Sequence, residues 1–206
     1  MPRTDCRLVY QYDELPTDRA KQAARDWLRR ANEGDNFFAE YVIEDATTIA
    51  RLLGLVLDKQ GIAWSGFSSQ GDGASLTGSW DYLPGREAAI REYAPQDAGL
   101  IAIAADLDES GAAVGALTVG ATLHRISSHY CHEHTVSIEV EATDAEGHDV
   151  PVSKAHADAI GAALHNFMRW IYRALETSYD DANSDETIAE NIRANEYEFT
   201  DTGKRI

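Results

Sequence analysis

Cysteine is scarce in this chain: two in 206 residues, Cys6 and Cys131. That excludes a disulfide framework, and no pair of cysteines has zinc-type spacing. Long apolar runs are missing too; none approaches the roughly 20 residues needed to cross a bilayer. The opening residues Met1-Pro2-Arg3-Thr4-Asp5 carry no apolar signal segment, so a cytoplasmic protein is expected. Positive charge is in short supply, with 18 Lys+Arg against 35 Asp+Glu and a net charge of −17. A chain so charged does not grip nucleic acid, which requires a basic surface to displace counterions. There is also no Gly-x-Ser-x-Gly elbow, no Lys-Ser/Thr phosphate loop and no dinucleotide fingerprint. The sequence thus carries no enzyme signature, and no cofactor is expected.

What is abundant is acid, and it is unevenly placed. Residues 1–93 hold 15 acidic and 11 basic side chains, a net of −4, whereas residues 94–201 hold 20 acidic and five basic ones, a net of −15. Charge of this kind bears on partners and solubility rather than on fold. The densest runs are Asp106-Leu107-Asp108-Glu109, residues 139–149 and residues 176–190.

An apolar share of 44% is that of a globular chain. Cys6–Tyr12 alternates as a strand does. Thr17 then precedes a helix whose stripe is Ala20, Ala23, Ala24, Trp27, Leu28 and Ala31, and a second helix runs from about Phe38 to Leu53, with Gly54 as its stop. Residues 55–58 and 62–67 read as strand material. A Gly-Asp-Gly turn joins them to a further strand over 74–82. Helical spacing returns across 87–93 and 97–107. A second hairpin, 116–126 with 130–142, turns near Ser127-Ser128 and pairs Leu123 with His132, Ala121 with His134, Val119 with Val136 and Leu117 with Ile138. A long helix follows from near Pro151, and Ser184 caps a last short one. Helices grouped around antiparallel hairpins predict an α+β fold, with residues 1–206 as a single domain.

Three clusters are candidates for chemistry. His124, His129, His132 and His134 fall within eleven residues, beside Cys131 and Glu133. In the hairpin register above His124 faces Cys131 and shares a side with Glu133, so His124, Cys131 and Glu133 are weak metal candidates. Ser-Ser is a poor two-residue turn, and a slip of one residue exchanges the faces. The stretch Ser65–Ser75 offers Ser65, Phe67, Ser68, Ser69, Gln70 and Asp72 as a ligand wall, flanked by Trp64, Trp80 and Tyr82. Against anion binding, Asp72 repels phosphate. The third cluster is the acidic surface, where Asp180, Asp181, Asp185, Glu186 and Glu190 lead and Asp106, Asp108 and Glu109 follow.

Tyr12-Asp13-Glu14-Leu15 before an Ala/Lys/Arg helix, Ser65-Gly66-Phe67-Ser68-Ser69-Gln70-Gly71-Asp72-Gly73-Ala74-Ser75, and Arg193-Ala194-Asn195-Glu196-Tyr197-Glu198-Phe199-Thr200 occur in that order. Together they resemble a family of proteins of about this length carried by tailed phages, prophages and related mobile elements. Some of its members are labelled antitoxins of toxin–antitoxin stability systems. The resemblance supplies no catalytic residues. Taken with the acidic half and the absence of a catalytic signature, it leads to the expectation of an accessory protein that binds and neutralises a basic protein, a host-defence component or a toxin, in the manner of an antitoxin or a DNA mimic. The alternatives are a nucleotide-binding or sequestering protein using Ser65–Ser75 and, behind it, a metal-dependent enzyme on the histidine hairpin.

Overall fold

The computed structural model describes residues 8–115, 117–127 and 130–206. The element order is α1 (Asp18–Ala31), α2 (Phe37–Leu52), β1 (Leu55–Ser65), β2 (Gly73–Asp81), α3 (Arg86–Tyr93), α4 (Ala98–Ala112), β3 (Thr118–Arg125), β4 (Val136–Thr143), α5 (Lys154–Asn183) and α6 (Asp185–Ala194). The four strands form one antiparallel sheet in sequence order, so the fold class is α+β, as the spacing predicts. No helix among the described residues is long and apolar enough to cross a membrane. The chain divides into two compact units, Met1–Ala39 with Thr177–Ile206 and Glu40–Glu176.

In the first unit the expected caps form. Thr17 Oγ1 accepts from the Ala20 amide at 3.1 Å, and Ser184 Oγ accepts from the Thr187 amide at 3.2 Å. Each satisfies one of the orphan donors of a helix start. Ala20, Ala24 and Leu28 of α1 and Ile188, Ala189 and Ile192 of α6 bury a common core with Tyr12, Leu15 and Phe199. Trp27 packs edge-on against Tyr197 and Phe199, with centroids 5.1 and 5.8 Å apart. The strand predicted over Cys6–Tyr12 does not form in its described part. Tyr10 makes a single bridge to Phe199, and Tyr12–Glu14 is a 3-10 turn, because the buried Tyr12 ring is held by Arg25 and Arg193 rather than by a neighbouring strand. Cys6 lies outside the described residues.

In the second unit the two predicted strand pieces 55–58 and 62–67 are one strand, β1, interrupted by a bulge. Leu57 pairs with Gly78 and Ile62 with Leu76, so four residues of β1 stand opposite Thr77 alone. Leu55, Trp80, Ala121 and Val140 form a row across all four strands on one face. The opposite face carries Ser79, Thr122, His124, Glu139 and Glu141. Trp80 is 1% exposed and its Nε1 donates to the Leu53 carbonyl at 2.9 Å. Burying such a ring removes ~150–250 Å² from water, worth at most about 4–6 kcal/mol.

The second hairpin forms, but in a different register. Leu123 pairs with Ile138, Ala121 with Val140 and Val119 with Ala142, six residues from the expected partners. The connection is long: His132 caps a 3-10 turn at Glu133–Thr135, and the Thr135 hydroxyl donates to the His132 carbonyl at 2.7 Å. An even shift leaves each side chain on its expected face, so the apolar pattern alone cannot tell the two registers apart. Ser128 and His129, part of the expected turn, lie outside the described residues.

Candidate functional site

The leading acidic candidates lie in the first unit, where α5 ends and α6 begins. Asp180, Asp181, Glu186 and Glu190 are exposed, and none is in an ion pair among the described residues. Glu186 and Glu190 stand one helical turn apart on α6, within reach of one partner surface. Asp185 is different. Its carboxylate is bound by Arg29 and, at 3.2 Å, by Arg25, both from α1. The Arg29 hydrogen bond is the main cause that holds its pKa below the usual carboxylate value. Asp185 therefore anchors α6 to α1 and is not free to meet a partner.

The second group is split in the same way. Asp108 Oδ2 accepts from the Glu87 amide at 2.9 Å, which satisfies a donor at the start of α3. Asp106 and Glu109 remain exposed on α4.

Residues 66–72 connect β1 to β2, as the Gly-rich composition predicts. The Asp72 carboxylate accepts from the Ser69 amide at 2.6 Å and the Ser68 amide at 3.0 Å. The Ser69 hydrogen bond leads the causes that lower its pKa. Those amides are the donors that a phosphate would use, and an internal carboxylate already fills them. Gly66, Phe67 and Trp64 meet α5: the Tyr172 hydroxyl donates to the Gly66 carbonyl at 3.0 Å, and Phe67 lies between Trp64 (5.8 Å, stacked) and Tyr172 (5.5 Å). Ser65 ends β1 opposite Gly73, Ser68 and Gln70 are exposed, and a Cβ added at Gly73 would stand 2.4 Å from the His132 Cβ. Of the flanking aromatics, Trp80 belongs to the core.

The metal candidates do not converge. His124 is exposed on β3 opposite Ser137, not Cys131, because the strand partner begins five residues after Cys131. Glu133 turns to α5 and accepts from Arg169 Nε at 2.7 Å. Burial is the largest influence on the Glu133 pKa and raises it, but the Arg169 hydrogen bond, a backbone hydrogen bond and the charges of Arg169 and His134 together turn the net shift downward. No group of three His, Cys, Asp or Glu among the described residues is placed to hold a metal ion.

What the structure does assemble there is a polar cluster that spacing alone does not announce. His134 has the His132 ring at 5.7 Å and the His165 ring of α5 at 5.9 Å. The His134 amide donates to His132 Nδ1 at 3.1 Å, which requires that nitrogen to be unprotonated. His165 bonds to the Val136 backbone, while its Nε2 is buried without a hydrogen-bond partner among the described residues. Burial is the main cause of its lowered pKa, with His134 and Arg169 adding to it and Glu133 opposing. In sequence His165 lies 31 positions after His134, so no local spacing announces their approach.

The outer two of the three motifs meet in the first unit. Arg193 of α6 grips Asp13 and lies 5.1 Å over the Tyr12 ring, whose hydroxyl accepts from Arg25 at 2.5 Å. Tyr10 and Phe199 exchange backbone hydrogen bonds at 2.9 Å in both directions, and Arg205 covers Tyr197 at 5.0 Å. These residues build a clamp between the chain ends, and its chemistry is structural. No curated protein and no solved structure matches the chain. The model of one protein family, described as Domain of unknown function (DUF8835), matches residues 38–185, and the chain belongs to that family.

Proposed function

We propose that this protein acts in the cytoplasm as an acidic binding protein that occupies a basic protein partner, with α5's last turns and α6 as its contact surface. The observation that carries this reading is the state of the carboxylates in the first unit. Asp180, Asp181, Glu186 and Glu190 are exposed and in no ion pair among the described residues, although α1 supplies arginines to Asp185. Unpaired carboxylates on a rigid helix favour a basic surface through long-range steering. The resemblance of the three motifs to phage and mobile-element proteins supports a host-defence component or a toxin as the partner class, and neutralisation as the outcome. A nucleotide reading of Ser65–Ser75 has less support, since Asp72 already takes the amides of Ser68 and Ser69.

The test is an affinity capture from the producing cell at low and high salt. It is run with the parent chain and with a quadruple variant, Asp180→Asn, Asp181→Asn, Glu186→Gln, Glu190→Gln. A basic protein held by the parent, lost from the variant and released as salt rises past about 0.15 M, where the Debye length is ~8 Å, is the expected result. A partner held equally by both chains, or one indifferent to salt, overturns the proposal.

A further inference from the structure

The β1 bulge has a consequence beyond the acidic surface. Residues 58–61 form the bulge opposite Thr77, and this arch and the adjoining part of β1 line a hollow together with Ile43, Thr47 and Arg51, spaced four residues apart on α2. The hollow has a volume of about 420 Å³, within the ~300–1,000 Å³ typical of small-molecule sites. Its apolar lining includes Ile43, Leu55, Leu57 and Ile62, and its polar groups include Arg51 and Lys59.

Those two cations matter because of where they are. The chain has 18 basic residues against 35 acidic ones, and in the second unit Arg91, Lys154 and Arg169 are tied to Glu87, Asp158 and Glu133, whereas Arg86, Arg125 and Arg173 are in no ion pair among the described residues and do not line the hollow. Arg51 and Lys59 are exposed and have no ion-pair partner among the described residues, with Asp58 the one carboxylate in the lining. β1 is an edge strand, so its outer side pairs with no other strand among the described residues. An apolar hollow with two unpaired cations is complementary to a small molecule that has an apolar body and one anionic head.

We propose that the hollow between α2 and the β1 arch is a binding site for an amphipathic organic anion. Arg51 and Lys59 hold the carboxylate or phosphate head, and Ile43, Leu57 and Ile62 cover the apolar body. The residues of this site all belong to the second unit, and the proposal does not depend on the function assigned to the α5–α6 surface. Charge-assisted contacts are stronger than neutral ones, and the surrounding apolar wall limits competition from water.

The test titrates straight-chain carboxylates of six to twelve carbons into the full chain. The readouts are thermal shift and the NMR amide shifts of Thr47, Lys59 and Gln60. Decanol serves as the control with an apolar body and no charge, and inorganic phosphate as the control with a charged head and no body. The expected result is saturable movement of those three amides with at least one carboxylate. Binding should be roughly tenfold weaker for decanol, absent for phosphate, and roughly tenfold weaker in the Arg51→Gln/Lys59→Gln variant. The far-ultraviolet spectrum of that variant should be unchanged, because both side chains are exposed. If no carboxylate moves these amides, or if the variant binds as the parent does, the proposal fails. Phosphate binding equal to carboxylate binding would also overturn it, since the apolar wall would then contribute nothing.

Discussion

Asp13 and Arg193, 180 positions apart in the chain, form a two-point ion pair, with Nε to Oδ2 at 2.9 Å and Nη2 to Oδ1 at 2.9 Å. The same guanidinium lies over the Tyr12 ring. One arginine thus fastens α6 to the 3-10 turn that follows Gln11, and Tyr12 is the buried anchor of that turn.

Breaking this pair has a limited and measurable effect. Both side chains are well exposed, 46% and 64%, so a double-mutant cycle of Asp13→Asn and Arg193→Gln should give a coupling of about 0.5–1 kcal/mol. Arg193→Gln should cost more than Asp13→Asn, because it also removes the contact with Tyr12. Arg193 holds the Asp13 carboxyl below its usual value of 3.8. The contribution is therefore complete above about pH 4 and is lost as pH falls through the lowered folded value. Urea melts of the four chains at pH 7 and pH 3 check this.

His165 sets a second pH dependence, at higher pH. Its folded pKa lies below 6.5, with burial as the main cause. Between the folded and unfolded values the unfolded chain binds a proton that the folded chain does not. Stability should therefore be full above about pH 6.5 and decline as pH drops toward the folded value. His165→Asn should lower Tm at pH 7.5 and flatten its decline from pH 7.5 to 5.5. A slope identical to that of the parent would show that His165 does not set the dependence.

Gly78 holds β1 and β2 together at the bulge. Its φ is +143°, and a Cβ there would lie 2.2 Å from the Val56 carbonyl oxygen. Gly78→Ala should cost roughly 3 kcal/mol or more, seen as loss of soluble yield or a large fall in Tm. Gly147→Ala is the control, since Gly147 also has positive φ (+84°) but has no atom within 4 Å of the added Cβ. It should cost about 1 kcal/mol.

Glu196 is the non-glycine residue with positive φ among the described residues, at +51° just after α6. Glycine takes this conformation without a Cβ penalty, so Glu196→Gly should be neutral to stabilising by up to about 1 kcal/mol despite the greater freedom of its unfolded chain. Thermal melts give the sign directly, and a destabilisation would show that the Glu196 side chain holds the motif together.

Local rules account for much of the fold. Thr17 and Ser184 cap helices because a hydroxyl one residue before a helical stripe accepts an amide within the first turn, an interaction set by three neighbouring positions. Alternation placed Val119, Ala121 and Leu123 on one face of the second hairpin, since side chains of a strand must alternate whatever it pairs with. The partners of that face were another matter. A shift of six residues keeps every side chain on its own side, and the length of the connection, with its 3-10 turn at Glu133–Thr135, chose between the registers. The candidate site divided along the same line. Acidity and exposure on α6 follow from composition and helical period, whereas the binding of Asp185 by Arg25 and Arg29, the filling of the Ser68 and Ser69 amides by Asp72, and the turn of Glu133 toward Arg169 and away from Cys131 depend on distances between remote segments. Only a folded chain brings Asp13 to Arg193, because an ion pair has no period, and nothing within a few residues of either records the other.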